Sequence, residues 1–346
     1  MSKPVAIDLF CGVGGMTYGM KKAGINVIAG IDIDSKIGKV YESNNRPSLF
    51  INKNVRYVTG HEILELFGES QGPRILAGCA PCRPFSIINR EGGKQHPDYS
   101  LLDSFSRLIR EVEPDGAIME NVPGIISSGK AIFQRFLNTL RAAGLNPSYE
   151  IIDAADFGVP QHRKRLFLIA SREAPKIPRL TNGPRTKREY KTVKDAIYKF
   201  PPIECGHKDP GPRNHSCKTL EQVNIIRLKL TPKNGGSRNQ VPKELWIPTH
   251  LKHDGHSDTY GRMSWNEPAP TLTCRCITVS NGRFAHPEQD RGISIREAAT
   301  LQTFPKRYRF PTNFSLAQMA IGNAVPPLLA TKFSRTLLRS MTKSGH

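Results

Sequence analysis

Short apolar runs alternate with amphipathic stretches from residue 5 to residue 170, and this alternation restricts the fold more than any other feature of the chain. Residues 5–9, 27–31, 74–77, 116–119, 149–152 and 166–170 read as strands. Residues 15–23, 35–44, 101–112 and 131–143 read as helices. Ser35 is placed to cap the second helix and Gly144 to end the fourth, while positions 101, 105, 108, 109 and 112 form one apolar face of the third. Alternation at this spacing predicts an α/β fold, a parallel sheet with helices on both faces.

Near residue 172 the texture changes. Residues 173–290 are rich in Pro, Gly, Asn, His and basic side chains, with weak apolar periodicity, and read as a second, smaller, loop-rich domain. Residues 294–300, 316–321 and 326–338 then read as helices. In the last of these, Leu328, Leu329, Phe333, Leu337 and Leu338 make an apolar stripe that needs a surface to cover. The sheet of the first half offers one, so residues 291–346 are expected to return to the domain formed by residues 1–172.

The chain has 50 Lys+Arg against 30 Asp+Glu, a net charge of +20. Residues 1–159 are balanced at 17 and 17, whereas residues 160–346 carry 33 and 13. So uneven a basic excess points to a polyanion partner, most simply nucleic acid. No run approaches 18 apolar residues, and MSKPVAIDLF has no signal-peptide core, so no membrane span and a cytoplasmic location are expected. Seven cysteines, an odd number, argue against a disulfide framework. Cys79-x-x-Cys82 and Cys274-x-Cys276, even with His250, His253 and His256, lack paired finger spacing, so no metal site is expected.

Four stretches carry chemistry. Asp8-Leu9-Phe10-Cys11-Gly12-Val13-Gly14-Gly15 joins the first strand to the first helix, and Asp32 ends the second strand. Glycines at a helix N-terminus followed by an acidic residue about 20 positions later suit a nucleoside-containing cofactor: NAD, FAD or S-adenosylmethionine. The incomplete G-x-G-x-x-G spacing tilts away from NAD. Cys79-Ala80-Pro81-Cys82-Arg83 follows the strand 74–77, on the ligand side of a parallel sheet, where a cysteine serves as a nucleophile, as a redox pair or as a buried thiol. Gly92 and Gly93 make residues 83–97 a candidate closing loop. Glu120 ends the strand 116–119 at the same sheet edge, able to donate as a protonated acid or to cap the next helix. In Gln161-His162-Arg163-Lys164-Arg165 the two arginines share a face if the strand begins early; otherwise they sit on a solvated basic turn.

These stretches, in this order, resemble the DNA (cytosine-5)-methyltransferase family. The resemblance covers residues 5–170 and 291–340 through DLFCGVGG, PCRPFS, ENVP, QHRKR, RGISIREAATLQTFP (291–305) and GNAVPP (322–327). It implies a Rossmann-like S-adenosylmethionine-dependent sheet with a smaller target-recognition domain, acting as a monomer on double-stranded DNA in a restriction–modification system or alone. A cognate endonuclease is then a possible partner without direct contact. By resemblance, Cys82 attacks C6 of a flipped cytosine, Glu120 holds N3 and the exocyclic amine, and Arg165 binds O2 with support from Arg163. Asp32 would hold the cofactor ribose, and Phe10, Ile33 and Leu101 would pack on the adenine. Gly12, Gly14, Asn323 and Val325 would line the methionine end, with Pro81 bordering it. Arg83 stands where the family more often has Gln, and Glu62, in Gly60-His61-Glu62-Ile63, stands in for an Asp that touches adenine. Thr271-Leu272-Thr273 resembles the family's threonine–leucine signature. A transfer-RNA substrate is the alternative within the family, disfavoured by the long basic insert. A non-catalytic DNA-binding protein and a dinucleotide oxidoreductase are the alternatives outside it.

Overall fold

The computed structural model describes residues 2–81, 97–208, 211, 213–247, 251 and 258–342. The chain divides into two compact units. The first comprises the chain up to Asp153, Lys164–Leu180 and the chain from Val325 on. The second comprises Ala154–Arg163 and Thr181–Ala324. The stretch expected to return to the sheet is thus shared: residues 291–324 cluster with the second unit and the chain from Val325 with the first.

Seven strands form the sheet of the first unit: β1 (Val5–Leu9), β2 (Asn26–Asp32), β3 (Leu49–Asn52), β4 (Arg74–Gly78), β5 (Gly116–Asn121), β6 (Asn146–Asp153) and β7 (Lys164–Ser171). Their order is β3-β2-β1-β4-β5-β7-β6. Strands β1 to β5 are parallel, but β7 runs antiparallel to both β5 and β6, so the sheet is mixed where a parallel one was expected. No crossover helix lies between β6 and β7, which leaves only an antiparallel return. The strand order reverses between β1 and β4, and in such sheets ligands bind outside the carboxyl ends of the strands at that point.

Helices cover both faces. Helices α1 (Gly15–Ala23), α2 (Gly38–Asn45), α3 (Gly60–Phe67), α4 (Leu101–Val112) and α5 (Lys130–Ala142) follow successive strands. On one face Val5, Ile7, Leu9, Leu76, Ala117, Met119, Leu166 and Leu168 pack with the apolar sides of α3, α4 and α5. The other face takes α10 (Pro327–Met341), whose Leu329, Phe333 and Leu337 are fully buried. Phe333 stacks on Phe167 of β7 with ring centroids 4.2 Å apart, so the apolar stripe covers the sheet as expected. Helix α10 also lies against α1 so closely that a Cβ on Gly19 would meet Ala330 at 2.4 Å and the Pro327 carbonyl at 2.7 Å. The start of α2 is corrected: Asp34, not Ser35, is the cap, its carboxylate accepting from Lys36 N at the head of a 3-10 turn, Ser35–Ile37.

The second unit holds α6 (Val193–Ile197), α7 (Gln222–Leu230), α8 (Ile295–Leu301) and α9 (Phe314–Asn323) among long loops. Its loops are stapled by buried arginines. Arg262, fully buried, donates to the carbonyls of Leu228, Thr231, His286 and Gln289 and pairs with Asp290. Arg296, also buried, donates to the carbonyls of Arg213, Pro305 and Tyr308. Irregular backbone leaves carbonyls without ladder partners, and guanidinium groups with five donors each satisfy several at once.

Candidate active site

The loop after β1 is held from below and from the side. Beneath it, buried Asp8 accepts the backbone N–H of Thr17 (3.0 Å) and its hydroxyl (2.6 Å) on Oδ2. Burial pushes the Asp8 carboxyl up to about 7, against the hydrogen bonds from Thr17 that favour its charge. Phe10 then turns the chain with φ 56°, a left-handed conformation that costs a non-glycine residue about 1–3 kcal/mol. Gly12 (φ 53°) and Gly14 (φ 91°) follow, and Gly14 caps α1. A side chain at position 14 would strike Asn45 Nδ2 at 2.3 Å, so only glycine fits there. A Cβ on Gly12 would meet nothing within 4 Å among the described residues, so this backbone faces open space.

Asp32, at the end of β2, fastens the loop. Its Oδ2 accepts Gly12 N and its Oδ1 accepts Asp34 N, both at 2.9 Å. Burial raises its pKa, opposed by those backbone donors. Ile33 beside it is 66% exposed, an apolar side chain at a ligand-facing strand end. Phe10, Gly12, Gly14, Asp32 and Ile33 thus meet at the carboxyl ends of β1 and β2. Leu101 begins α4 and is buried, Pro81 is half-buried just past β4, and Val325 is buried at the approach to α10.

Glu62 lies at the head of α3. Its Oε2 accepts Thr59 N at 2.8 Å in a capping box at the head of α3, and its Oε1 pairs with Lys53. The hydrogen bond from Lys53 is the main reason its pKa is lowered. At that edge, residues that the sequence reading passed over stand closer to Asp32. Asn52, the last residue of β3, donates from Nδ2 to the carbonyls of Asp32 (3.1 Å) and Ile33 (2.9 Å), and Lys53 N reaches the Asp32 carbonyl at 3.1 Å. Asn54 follows at once and caps a 3-10 turn. The polar run Asn52-Lys53-Asn54 after a short apolar stretch was the available signal.

A second cluster of polar side chains lies across β4, β5 and β7. Glu120 is buried in β5, opposite Phe167 of β7, so Arg165 is its diagonal neighbour on the same face. Arg165 Nε stands 3.1 Å from Glu120 Oε1. That oxygen accepts no aligned hydrogen bond among the described residues, so a buried acceptor is left open beside a cation. Cys79 Sγ lies 2.9 Å from Glu120 Oε2. Asn121 donates to the Ala80 carbonyl at 3.2 Å and so ties the end of β5 to the backbone that leads to Pro81. Cys82, Arg83 and the expected closing loop lie outside the described residues, apart from Pro97.

Arg163 is in the second unit, just outside β7, rather than on one strand face with Arg165. It is buried and donates to the carbonyls of Leu272 (3.0 Å), Gly322 (3.0 Å) and Ala324 (3.3 Å), which rules out a solvated basic turn at this position. The last two carbonyls flank Asn323, the exposed last residue of α9, whose Oδ1 lies 2.8 Å from Cys274 Sγ. Gln161 completes the tie: its Nε2 donates to Gln302 Oε1 (3.0 Å) and its Oε1 accepts Leu272 N (2.8 Å). The Thr271-Leu272-Thr273 segment is therefore held by the Gln161-His162-Arg163 turn.

The fold is Rossmann-like, and the family model makes the chain an S-adenosylmethionine-dependent methyltransferase. Residues 5–339 match the family model of C-5 cytosine-specific DNA methylases, and the chain belongs to that family. The type II methylase M.HgiDII of Herpetosiphon aurantiacus is 40% identical over 340 residues, covering 96% of this chain and 94% of that one. The type II methyltransferase M1.HphI of Haemophilus parahaemolyticus is 29% identical over 344 residues, covering 97% and 87%. Among solved structures, one described as a candidate DNA modification methyltransferase from an Escherichia coli prophage superposes with TM-score 0.78 at 22% identity, covering 98% of this chain and 100% of that one. Schizosaccharomyces pombe Dnmt2 superposes with TM-score 0.64 at 15% identity, covering 97% and 98%.

Proposed function

We propose that this enzyme methylates C5 of a cytosine extruded from a specific site in double-stranded DNA, with Cys82 as nucleophile and Glu120 and Arg165 as the groups that hold the base. The open, buried Oε1 of Glu120 beside Arg165 carries this reading. A cytosine ring presents N3, an amine and O2 along one edge, and a carboxyl with a neighbouring guanidinium complements that edge.

C5 of cytosine is a poor nucleophile. Addition of the Cys82 thiolate to C6 breaks the C5–C6 double bond and sends its electrons toward N3 and O2. Glu120 gives or shares a proton at N3, and Arg165 faces the charge developing on O2. The activated C5 would then take a methyl group, and loss of its proton to a base with expulsion of the Cys82 thiolate from C6 would restore the ring. S-adenosylmethionine supplies the electrophilic methyl. The residues present suit it: Asp32 would hold the ribose, Gly12 and Gly14 leave open space at the loop, and Ile33 with Phe10 offers an apolar face to the adenine. Within the second unit, Arg163 holds the Gly322 and Ala324 carbonyls on either side of Asn323.

The second unit and the segment 173–290 would contact the duplex, phosphates for affinity and base edges for the site. Extruding the base costs a few kcal/mol, roughly, which those contacts offset. A restriction–modification role in the cytoplasm is in keeping with the type II names of the relatives. DNA bearing 5-fluorocytosine tests the chemistry, because the C5 proton cannot then be lost. Wild-type enzyme with cofactor is expected to form a stable covalent adduct, and Cys82→Ser to form none while still binding DNA. An adduct that survives Cys82→Ser would refute the assignment.

A further inference from the structure

The proposed reaction uses one cysteine of the C-x-x-C run and leaves Cys79 without a task. We infer that Cys79 is a positioning residue for Glu120, which rests on the reading of Glu120 as the group that holds the base. Strand register brings the two together. Gly78 of β4 pairs with Met119 of β5, so the next residue of each strand, Cys79 and Glu120, stand side by side. Cys79 N donates to the Leu9 carbonyl at 3.4 Å, which carries the β4 backbone one residue past the strand and fixes its direction. Leu76 and Ala80 pack into the core on the α4 side, so alternation turns Cys79 to the opposite face, where Glu120 and Arg165 lie.

There the thiol meets Glu120 Oε2 at 2.9 Å while Arg165 Nε meets Oε1 at 3.1 Å. The thiol thus bonds Oε2, while the Arg165 charge lies beside Oε1 without an aligned hydrogen bond. A thiol is ordinarily a weak donor, but a buried carboxylate acceptor strengthens the bond. A hydrogen bond on Oε2 sets the plane of the carboxyl group and leaves Oε1 open. That plane must coincide with the plane of the pyrimidine if one oxygen is to meet N3 while the other meets the amine. Without the Cys79 donor, neither oxygen accepts an aligned hydrogen bond among the described residues, and the group is free to turn about its last torsion. The role predicted for Cys79 is thus on the turnover step rather than on cofactor or DNA affinity.

Methylation of duplex DNA by full-length enzyme tests this with Cys79→Ala, Cys79→Ser and Cys79→Val, each with Glu120 intact and in a Glu120→Gln background. Cys79→Ala is expected to lower kcat about tenfold, leaving KM for S-adenosylmethionine unchanged. Cys79→Ser, which keeps a donor, is expected to recover most of that loss. In the Glu120→Gln background Cys79→Ala is expected to cost nothing more. If Cys79→Ala lowers the melting temperature, Cys79→Val fills the space without a donor and carries the comparison. Wild-type kcat in both Ala and Val variants, a Ser variant as slow as Ala, or an equal loss with and without Glu120 would overturn the role of Cys79. If Glu120→Gln alone keeps full kcat, the reading of Glu120 falls, and this role with it. If Glu120→Gln is crippled and Cys79→Ala is not, only the role of Cys79 falls.

Discussion

Arg291 and Glu297 meet through two parallel hydrogen bonds, Nη1 to Oε2 and Nη2 to Oε1, each 2.8 Å long, with both side chains 1% exposed. Glu297 also accepts Ser294 N at 2.7 Å, as part of the capping box that starts α8. Removing one partner of so buried a pair strands the other charge, at a cost of about 3–5 kcal/mol. Glu297→Gln is therefore expected to destabilise the second unit by about that much. The chain's two tryptophans, Trp246 and Trp265, both lie in this unit, so urea unfolding followed by tryptophan fluorescence reads it directly.

Acid should loosen the same unit. His286 is buried and its Nδ1 accepts the N–H of Glu288 (3.1 Å) and of Gln289 (3.0 Å), which requires a neutral ring. Burial pushes its pKa down to about 4 from the ordinary 6.5. The unfolded chain takes up this proton below about 6.5 and the folded one only near 4, so the stability is present above 6.5 and lost as pH falls through that window. Glu297 adds a lower window. Burial raises its pKa, but the hydrogen bonds and charge of Arg291 outweigh that and hold it at about 2, so its stability is lost from 4.5 downward. The urea midpoint by fluorescence should fall between pH 7.5 and pH 5, and His286→Gln should flatten that fall. An unchanged wild-type midpoint would contradict the burial of a neutral ring.

Asp32→Ala should weaken cofactor binding far more than DNA binding, because its carboxylate fastens Gly12 and would meet the ribose. Loss of hydrogen bonds to a charged group corresponds to about 10- to 100-fold in affinity. Calorimetric titration with S-adenosylhomocysteine, beside a DNA gel shift, separates the two. Equal losses would remove the ribose role.

Phe333→Ala should cost about 3–5 kcal/mol, the range for a fully buried aromatic side chain. The ring stacks on Phe167, the cross-strand partner of Glu120, so the end of β5 that carries the Glu120 carboxyl should loosen as well. Thermal unfolding by circular dichroism measures the first effect, and kcat measures the second.

Periodicity made much of the first unit legible. β1, α1 and α4 have the bounds that the sequence pattern predicts, because each is an uninterrupted apolar run or stripe ended by turn residues. β3 was missed since it is a short edge strand whose four residues are all at least partly exposed, so burial leaves no alternation to read. α3 was missed although Thr59-Gly60-His61-Glu62 spells a capping box. The orientation of β7 depends on the lack of a crossover helix, which a list of strands does not display. Charge misleads in part too: Arg163, Arg238, Arg262, Arg291 and Arg296 are buried, so some of the basic excess after residue 160 fastens loops rather than facing a polyanion. Cys79 beside Glu120 was invisible in sequence, because strand register alone brings residues 41 positions apart into contact.

Helix α10 closes against α1 and the sheet after the whole second unit has been threaded through the chain. On the ribosome, synthesis runs from the first strand to the last helix, at about 5–20 residues per second. During that interval the β5–β7 surface that receives Phe333 and Leu337 has no cover. The nascent enzyme therefore passes through a stage with an exposed greasy flank, when chaperone capture or aggregation competes with completion, and only translation of the final helix ends that exposure.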